Sequence, residues 1–362
     1  MTNCRIPALA LAVCLLTPAI PASAFQTAGP LDGTWRARLQ DNWSRRDGQR
    51  WVSFTLRYDS DDRFDNGQWG VSIPMSELEG LGARDDRWTA RDVRFALRRD
   101  AGRLDFEGDF TDGRGSGLWK FAPNGEYVSA VSKTYKRDLS SEQVLKLAIH
   151  DVSRAFASAM QSEGLPNLTI DDLTKMRIHG VDAAYIQAMR KAGYDKLTVD
   201  ELVKSRIHGA TPEFVQEMKS AGFDKLSLDD LVKMRIHGVS PTFIREMREL
   251  GFKDLDADDL VKLRIHGVSP AFIRELRGLG YKELDAQDFV RMRIHGVTAQ
   301  FVKELNDLGY SKVSASDLVR MRIHGVTPEF IRDVRGAGFK NMTPDDLVDF
   351  SIHGRRWLKK RA

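Results

Sequence analysis

The sequence predicts an α+β protein of two domains, a small antiparallel β-sandwich or barrel followed by an αα-repeat array. Three observations carry the prediction. All eight histidines fall in one register, at His150, His179, His208, His237, His266, His295, His324 and His353, each 29 residues after the last. A fixed period of this length marks stacked supersecondary units. Ahead of the first histidine, apolar and polar residues alternate over short runs, as in strands with one wet face. Within each period the apolar spacing instead reads as two short helices with stop signals between them.

Taken in order, residues 1–24 read as an export signal. Arg5 supplies the positive end, Ile6 to Leu16 the apolar run and Ala22-Ser23-Ala24 a cleavage site. Cleavage after Ala24 and a periplasmic or secreted address are expected. Cys14 is a poor lipidation site, since bulky Val13 precedes it and Leu15-Leu16 follow. Both cysteines, Cys4 and Cys14, lie in this segment, so the remaining chain has no thiol for a disulfide, a nucleophile or a metal. No later apolar run is long enough to span a membrane.

Residues 25–138 are expected to form the β-rich domain. Alternation runs through Val52 to Tyr58, Val93 to Leu97, Leu104 to Phe106 and Leu118 to Phe121. Asp100-Ala101-Gly102 and Asp112-Gly113 are turn sequences, so the later strands should form an antiparallel meander. Pro74 to Leu78 reads as a short helical insertion. Trp43, Trp51, Trp69, Trp88 and Trp119 are expected in the core rather than around a ligand. Asp59-Ser60-Asp61-Asp62 with Asp65-Asn66-Gly67 resembles a calcium loop loosely, but Arg63 and Phe64 stand where an oxygen ligand and a glycine are needed.

Residues 139–354 are expected to form the array, and its pattern is plainest between Arg235 and Lys262. Ser240 caps a first helix, Pro241 suits its first position, and Phe243, Ile244, Met247 and Leu250 form its apolar stripe. Gly251 ends it, as Gly193, Gly222, Gly280, Gly309 and Gly338 do in other copies. A second helix begins at Asp256 with Asp259 three residues on. The same acceptor-to-acid spacing recurs at Thr198/Glu201, Ser227/Asp230, Ser314/Asp317 and Thr343/Asp346. It ends at the next Arg-Ile-His-Gly. Such short helices are marginal alone, so their apolar stripes must be buried against neighbouring repeats. The terminal copies deviate, with Asp151 in place of glycine at the front and Ser351 in place of arginine at the back. Residues 355–362 form a basic tail.

The stretch Ile236-x-Gly238-Val239-x-Pro241, with Phe243 and Gly251-Phe252 after it, resembles the helix-hairpin-helix modules that grip DNA phosphates through a hairpin with two glycines. Ser240, Ser269 and Thr327 stand at the second glycine. Nearly the whole mature chain, including Phe106-Glu107-Gly108 and Gly115-Ser116-Gly117, is similar to exported bacterial proteins with tandem "RIHGV" repeats, which also form the tails of membrane metallopeptidases of the beta-lactam-sensor type. That resemblance implies an exported αα-repeat protein and carries no activity, since the peptidase signature His-Glu-x-x-His is absent.

Charge and residue chemistry narrow the function. Residues 141–354 hold 30 basic and 32 acidic side chains, a weak footprint for a nucleic-acid groove. Equivalent histidines of stacked helices roughly 8–10 Å apart cannot share one zinc, so His179, His208, His237, His266, His295 and His324 are expected to close helix ends through their imidazoles. Arg177, Arg206, Arg235, Arg264, Arg293 and Arg322 are expected to stitch repeats together, with Glu217, Glu246, Glu275, Glu304 and Asp333 as partners. Gly115-x-Gly117 lacks the context of a phosphate loop. No catalytic set assembles, and no cofactor or metal is implied. A non-enzymatic binding or scaffold protein is therefore expected, its array contacting another envelope or secreted protein. Arg355, Arg356, Lys359, Lys360 and Arg361 are candidate partner or anion contacts. The alternatives are an exported DNA-binding protein using the hairpin repeats and a small-ligand sensor acting through the β-domain.

Overall fold

The computed structural model describes residues 28–40, 50–58, 67–82 and 88–354 of the 362. The expected signal segment with Cys4 and Cys14, Trp43, the acidic loop from Asp59 to Asp65 and the basic tail lie outside the described residues. The chain divides into two compact units, Met1–Ser162 with Thr169–Thr174, and Glu163–Leu168 with Lys175–Ala362.

The first unit opens with one curled antiparallel sheet of seven strands. These are β1 (Leu31–Gln40), β2 (Trp51–Tyr58), β3 (Gln68–Pro74), β4 (Leu78–Glu79), β5 (Ala90–Arg99), β6 (Gly102–Thr111) and β7 (Arg114–Pro123), in spatial order β3-β2-β1-β7-β6-β5-β4. The expected insertion is a single 3-10 turn, Met75–Glu77. Strands β5, β6 and β7 form the meander expected from the two turns.

Alternation places Trp35, Phe54, Phe95, Phe106 and Phe110 on one buried face. There Phe95 stacks on Phe106 with centroids 4.8 Å apart, and Trp35 meets Phe110 at 5.4 Å. The Trp35 indole N–H donates to the Glu107 and Leu118 carbonyls, both at 3.1 Å. Two glycines allow the curl. Gly108 faces Gly117 across β6 and β7, and a Cβ on Gly117 would stand 1.9 Å from the Glu107 carbonyl oxygen. Only a pair without side chains lets the strands bend that closely. Trp119 and Trp88 are core residues as expected, while Trp51 and Trp69 are half-buried.

Three helices complete this unit: α1 (Gly125–Tyr135), α2 (Ser141–Ile149) and α3 (Arg154–Ser162). The compact unit therefore runs past the expected boundary at residue 138. Tyr127, Val128 and Val131 of α1 are buried, and the Tyr127 hydroxyl donates to the Val152 carbonyl at 2.8 Å. Burial raises the Tyr127 and Tyr135 phenols, the latter to about 12. Helix α2, capped by Ser140 and Gln143 as expected, packs on β6 and β7. Asp100 accepts from the Arg154 main-chain N–H at 2.7 Å and from its guanidinium. Burial alone would raise the Asp100 carboxyl, but the Arg154 hydrogen bonds and charge outweigh it and hold it below its ordinary value.

His150, at the end of α2, is held below the ordinary histidine value of 6.5, by burial first and by Lys146 second. A base with a depressed folded pKa binds its proton more readily when unfolded. Its contribution is thus complete above pH 6.5 and is lost as pH falls below it. Unfolding titrations in urea at several pH values should show His150→Asn with a flatter stability profile between pH 7 and 5 than the parent. Superimposable profiles would show that His150 is not linked to folding.

The remaining helices pair. Helix α4 (Ile170–Ile178) carries the division between the units. Next come α5 (Ala183–Lys191) and α6 (Val199–His208), α7 (Pro212–Ser220) and α8 (Leu228–Ile236), α9 (Pro241–Glu249) and α10 (Ala257–Ile265). Then follow α11 (Pro270–Gly278) and α12 (Ala286–Ile294), α13 (Ala299–Asp307) and α14 (Ala315–Ile323), α15 (Pro328–Gly336) and α16 (Pro344–His353). Odd helices touch the next odd helix and even helices the next even one, from α5 to α7 and α9 to α15, and from α6 to α16. The second unit is therefore a double row in which each repeat packs on its sequence neighbours.

Local signals explain each repeat. Ser240 accepts from the Phe243 amide, and Ser227 with Asp230 forms a reciprocal capping box. Gly238 and Gly251 adopt φ of 70° and 89°, a left-handed conformation that glycine reaches at no steric cost. At the front of the series Asp151 takes φ of 54°, which a short polar side chain tolerates.

Candidate interaction surface

The carbonyls that end a helix have no partner within it, and at several helix ends the chain supplies one from the next repeat. Arg264 Nε donates to the His237 carbonyl at 3.4 Å, 27 residues earlier. At the end of the series Ser351 Oγ does the same for His324 at 2.5 Å, so the residue that replaces arginine keeps its contact. The odd helices follow the same offset. Lys219 Nζ donates to the Ala192 carbonyl at 2.7 Å and Arg335 Nη2 to that of Leu308 at 2.6 Å.

Among the described residues, Arg206, Arg235, Arg264, Arg293 and Arg322 do not pair with the acids expected for them. Arg206 lies over the Tyr185 ring at 4.9 Å, Arg235 over Phe214 at 4.9 Å, and Arg264, Arg293 and Arg322 over Phe243, Phe272 and Phe301 at 5.0 Å each. Each guanidinium also presses on the glycine turn of the repeat before it, and a Cβ on Gly238 would stand 3.0 Å from Arg264 Nη2. Stitching is thus real, but it runs through ring faces and main chain. Of the expected acids, Glu246 meets Arg274 at 3.6 Å and Glu304 meets Gln300.

Ionic stitching uses a different row. A cation in the last turn of one even helix reaches an acid in the first turn of the next, 25 residues on: Lys146 to Asp171, Lys175 to Asp200, Lys204 to Asp229, Lys233 to Asp258 and Arg320 to Asp345. The hydrogen bond and then the charge of Asp258 hold Lys233 above its ordinary value. Gln287 and Ser316 interrupt the ladder. Lys262 therefore bonds the Gln287 amide, and Arg291 turns back to Asp288.

The histidines cap through their main chain. The His237 amide donates to the Lys233 and Arg235 carbonyls, and those of Gly238 and Val239 to Arg235 and Met234. No imidazole hydrogen bond forms at His179, His208, His237, His266 or His295 among the described residues, contrary to expectation. The left-handed glycine brings two amides onto the helix end, which leaves the imidazole no group to close. Among the described residues no three His, Cys, Asp or Glu side chains converge as metal ligands.

One row was not anticipated. Ile178, Ile207, Ile236, Ile265, Ile294, Ile323 and Ile352 are each about half exposed, between 49% and 54%. Each precedes the histidine of the turn. Burial on the even helices falls on Leu231, Val232 and Met234, and residue 236 lies just outside that arc. The buried neighbour varies, from Met234 to Leu263 to Ser205, whereas the exposed position is isoleucine every time. Recurrence of one aliphatic residue at a wet position was the available signal. Because Arg264 reaches back to His237, the arginine of one repeat sits beside the isoleucine of the one before. The turn edge of the array thus presents isoleucine and arginine in alternation.

The β-sheet offers less. A hollow on it is lined by Glu79, Arg94, Arg103, Asp105, Glu107, Leu118 and Lys120, open and of mixed charge. Arg355, Arg356, Lys359, Lys360 and Arg361 lie outside the described residues. Among those residues no helix is long and apolar enough to cross a membrane. Comparison with models of known protein families gives no match to this chain, and comparison with curated proteins gives none either.

Proposed function

We propose that this is an exported, non-enzymatic binding protein whose helical array recognises another envelope or secreted protein along its turn edge. The single observation that carries the reading is the row of seven half-exposed isoleucines. An aliphatic row repeated at one register is the kind of exposed apolar surface that marks a protein contact. The export signal in residues 1–24 supports the address. DNA binding through the hairpins is the competing reading, and the use of the Gly238 and Val239 amides to close α8 counts against it, since a phosphate grip needs such amides free.

The test is retention of envelope proteins on the immobilised protein and on Ile236→Asp/Ile265→Asp/Ile294→Asp. The substituted side chains are exposed, so helical content and unfolding midpoint should stay near those of the parent. Proteins retained by the parent should be lost from the variant. Identical retention by both would overturn the reading.

A further inference from the structure

We infer that the segment recognised by this edge is an acidic polypeptide studded with aliphatic side chains, its carboxylates meeting the arginines and its aliphatic groups the isoleucines. The inference rests on the protein-binding reading and specifies its partner. Arg235, Arg264, Arg293 and Arg322 make no ion pair among the described residues, although ion pairs are plentiful elsewhere on the same helices. Each guanidinium is instead held over a ring, with its carbon 4.9–5.0 Å from the ring centre, and the Nε atoms of Arg293 and Arg322 are buried without an acceptor, so an outside carboxylate would meet the terminal Nη groups. Contact with the ring leaves the full positive charge in place and restrains the guanidinium. A fork restrained in advance loses little freedom on meeting a carboxylate, which it can grip through two hydrogen bonds.

The distribution of charge along each repeat points the same way. First-turn acids such as Asp229 and Asp258 meet Lys204 and Lys233, so that row is neutralised by the array itself except at Lys262, which bonds the Gln287 amide. The arginine row is not. Near-neutrality over residues 141–354 therefore conceals a turn edge that is positive and aliphatic together.

That combination separates the possible anionic partners. A phosphate backbone would engage the arginines and leave the isoleucines in water, and its binding strength comes from an excess of cations that this array lacks. A lipid surface takes up aliphatic groups, but it draws on clustered uncompensated basic residues, and here Lys175, Lys204 and Lys233 are each paired with an aspartate. A polypeptide with alternating acidic and aliphatic side chains satisfies both rows at once.

A displayed library of random 16-residue peptides, selected on the parent protein and counter-selected on Ile236→Asp/Ile265→Asp/Ile294→Asp, tests this directly. Enriched peptides should carry Asp or Glu interspersed with Leu, Ile, Val or Phe. Replacing their carboxylates by amides should weaken binding on the order of tenfold or more, as should raising the salt. Changing the peptide rather than the arginines keeps the array's packing out of the result. Enrichment of isoleucine-dependent peptides that are neutral or basic would overturn the inference while leaving the protein-binding reading intact. Recovery of no isoleucine-dependent peptide, or tight binding of a 20-base-pair duplex or of phosphatidylglycerol vesicles that survives the isoleucine substitutions, would overturn both.

Discussion

Deleting Gly238 through His266, one whole period, should leave the array folded and simply shorter. The deletion joins His237 to Gly267, so α8 is followed by α11 and every surviving helix keeps an equivalent neighbour. The contacts that cross each junction recur at fixed offsets: Arg293 lands on the His237 turn as Arg264 did, and Lys233 meets Gln287 as Lys262 does. Deleting Gly238 through Phe252 instead removes α9 with its turns and leaves α10 against the wrong row. That half-period variant should lose helical signal well beyond the deleted residues and unfold with reduced cooperativity. Circular dichroism with denaturant unfolding separates the two. If both deletions unfold alike, the even and odd rows are not independent layers of a linear array.

The second large effect lies in the sheet. Trp35→Ala should destabilise the first unit by about 3–5 kcal/mol, the range for removing a large buried aromatic side chain. Its ring is 1% exposed and sits among Phe54, Phe95, Phe106 and Phe110. The substitution also removes the donor to the Glu107 and Leu118 carbonyls. Trp69→Ala, at a half-buried position of the outer strand β3, should cost far less. Urea unfolding followed by far-ultraviolet circular dichroism gives the comparison, and equal costs at the two sites would contradict the assignment of Trp35 to the centre of the core.

The array was legible because its signals are local. Caps, glycine stops and apolar stripes sit within a few residues of what they control, and Ser240, Gly251 and the Thr198/Glu201 pair each do what their spacing predicts. Pairing between repeats was not legible in the same way. A row of arginines and a row of acids with one period meet at whatever offset the packing sets. The lysine ladder spans 25 residues and the arginine contact 27, and neither offset is written in the period.

In the first unit, β1 escaped notice although Trp35, Ala37 and Leu39 alternate with Arg36 and Arg38, because glycine at position 33 breaks the run. Helix α1 was hidden by Val128, Val131 and two serines, Ser129 and Ser132, which favour other conformations until Tyr127 and Val131 are buried. In the sequence the isoleucine row shows only as the first position of the hairpin-like motif, at Ile236. A four-residue step from Val232 to Ile236 looks like one face of a helix, yet the helix ends there and the last step falls in water.

The 27-residue closure of helix ends gives the array a direction. Where this closure forms, a helix end is finished by a side chain that comes after it in the sequence: Lys219 for Ala192, Arg264 for His237, Arg335 for Leu308. A chain that folds from its N-terminal end cannot complete such a helix end until about one more repeat is in place, so growth proceeds with a single open end that moves toward the C-terminus. Truncation from that side uncaps the new last repeat at both of its helices. Truncation from the other side takes away only groups that were being served, and the two ends of the array should therefore tolerate shortening unequally.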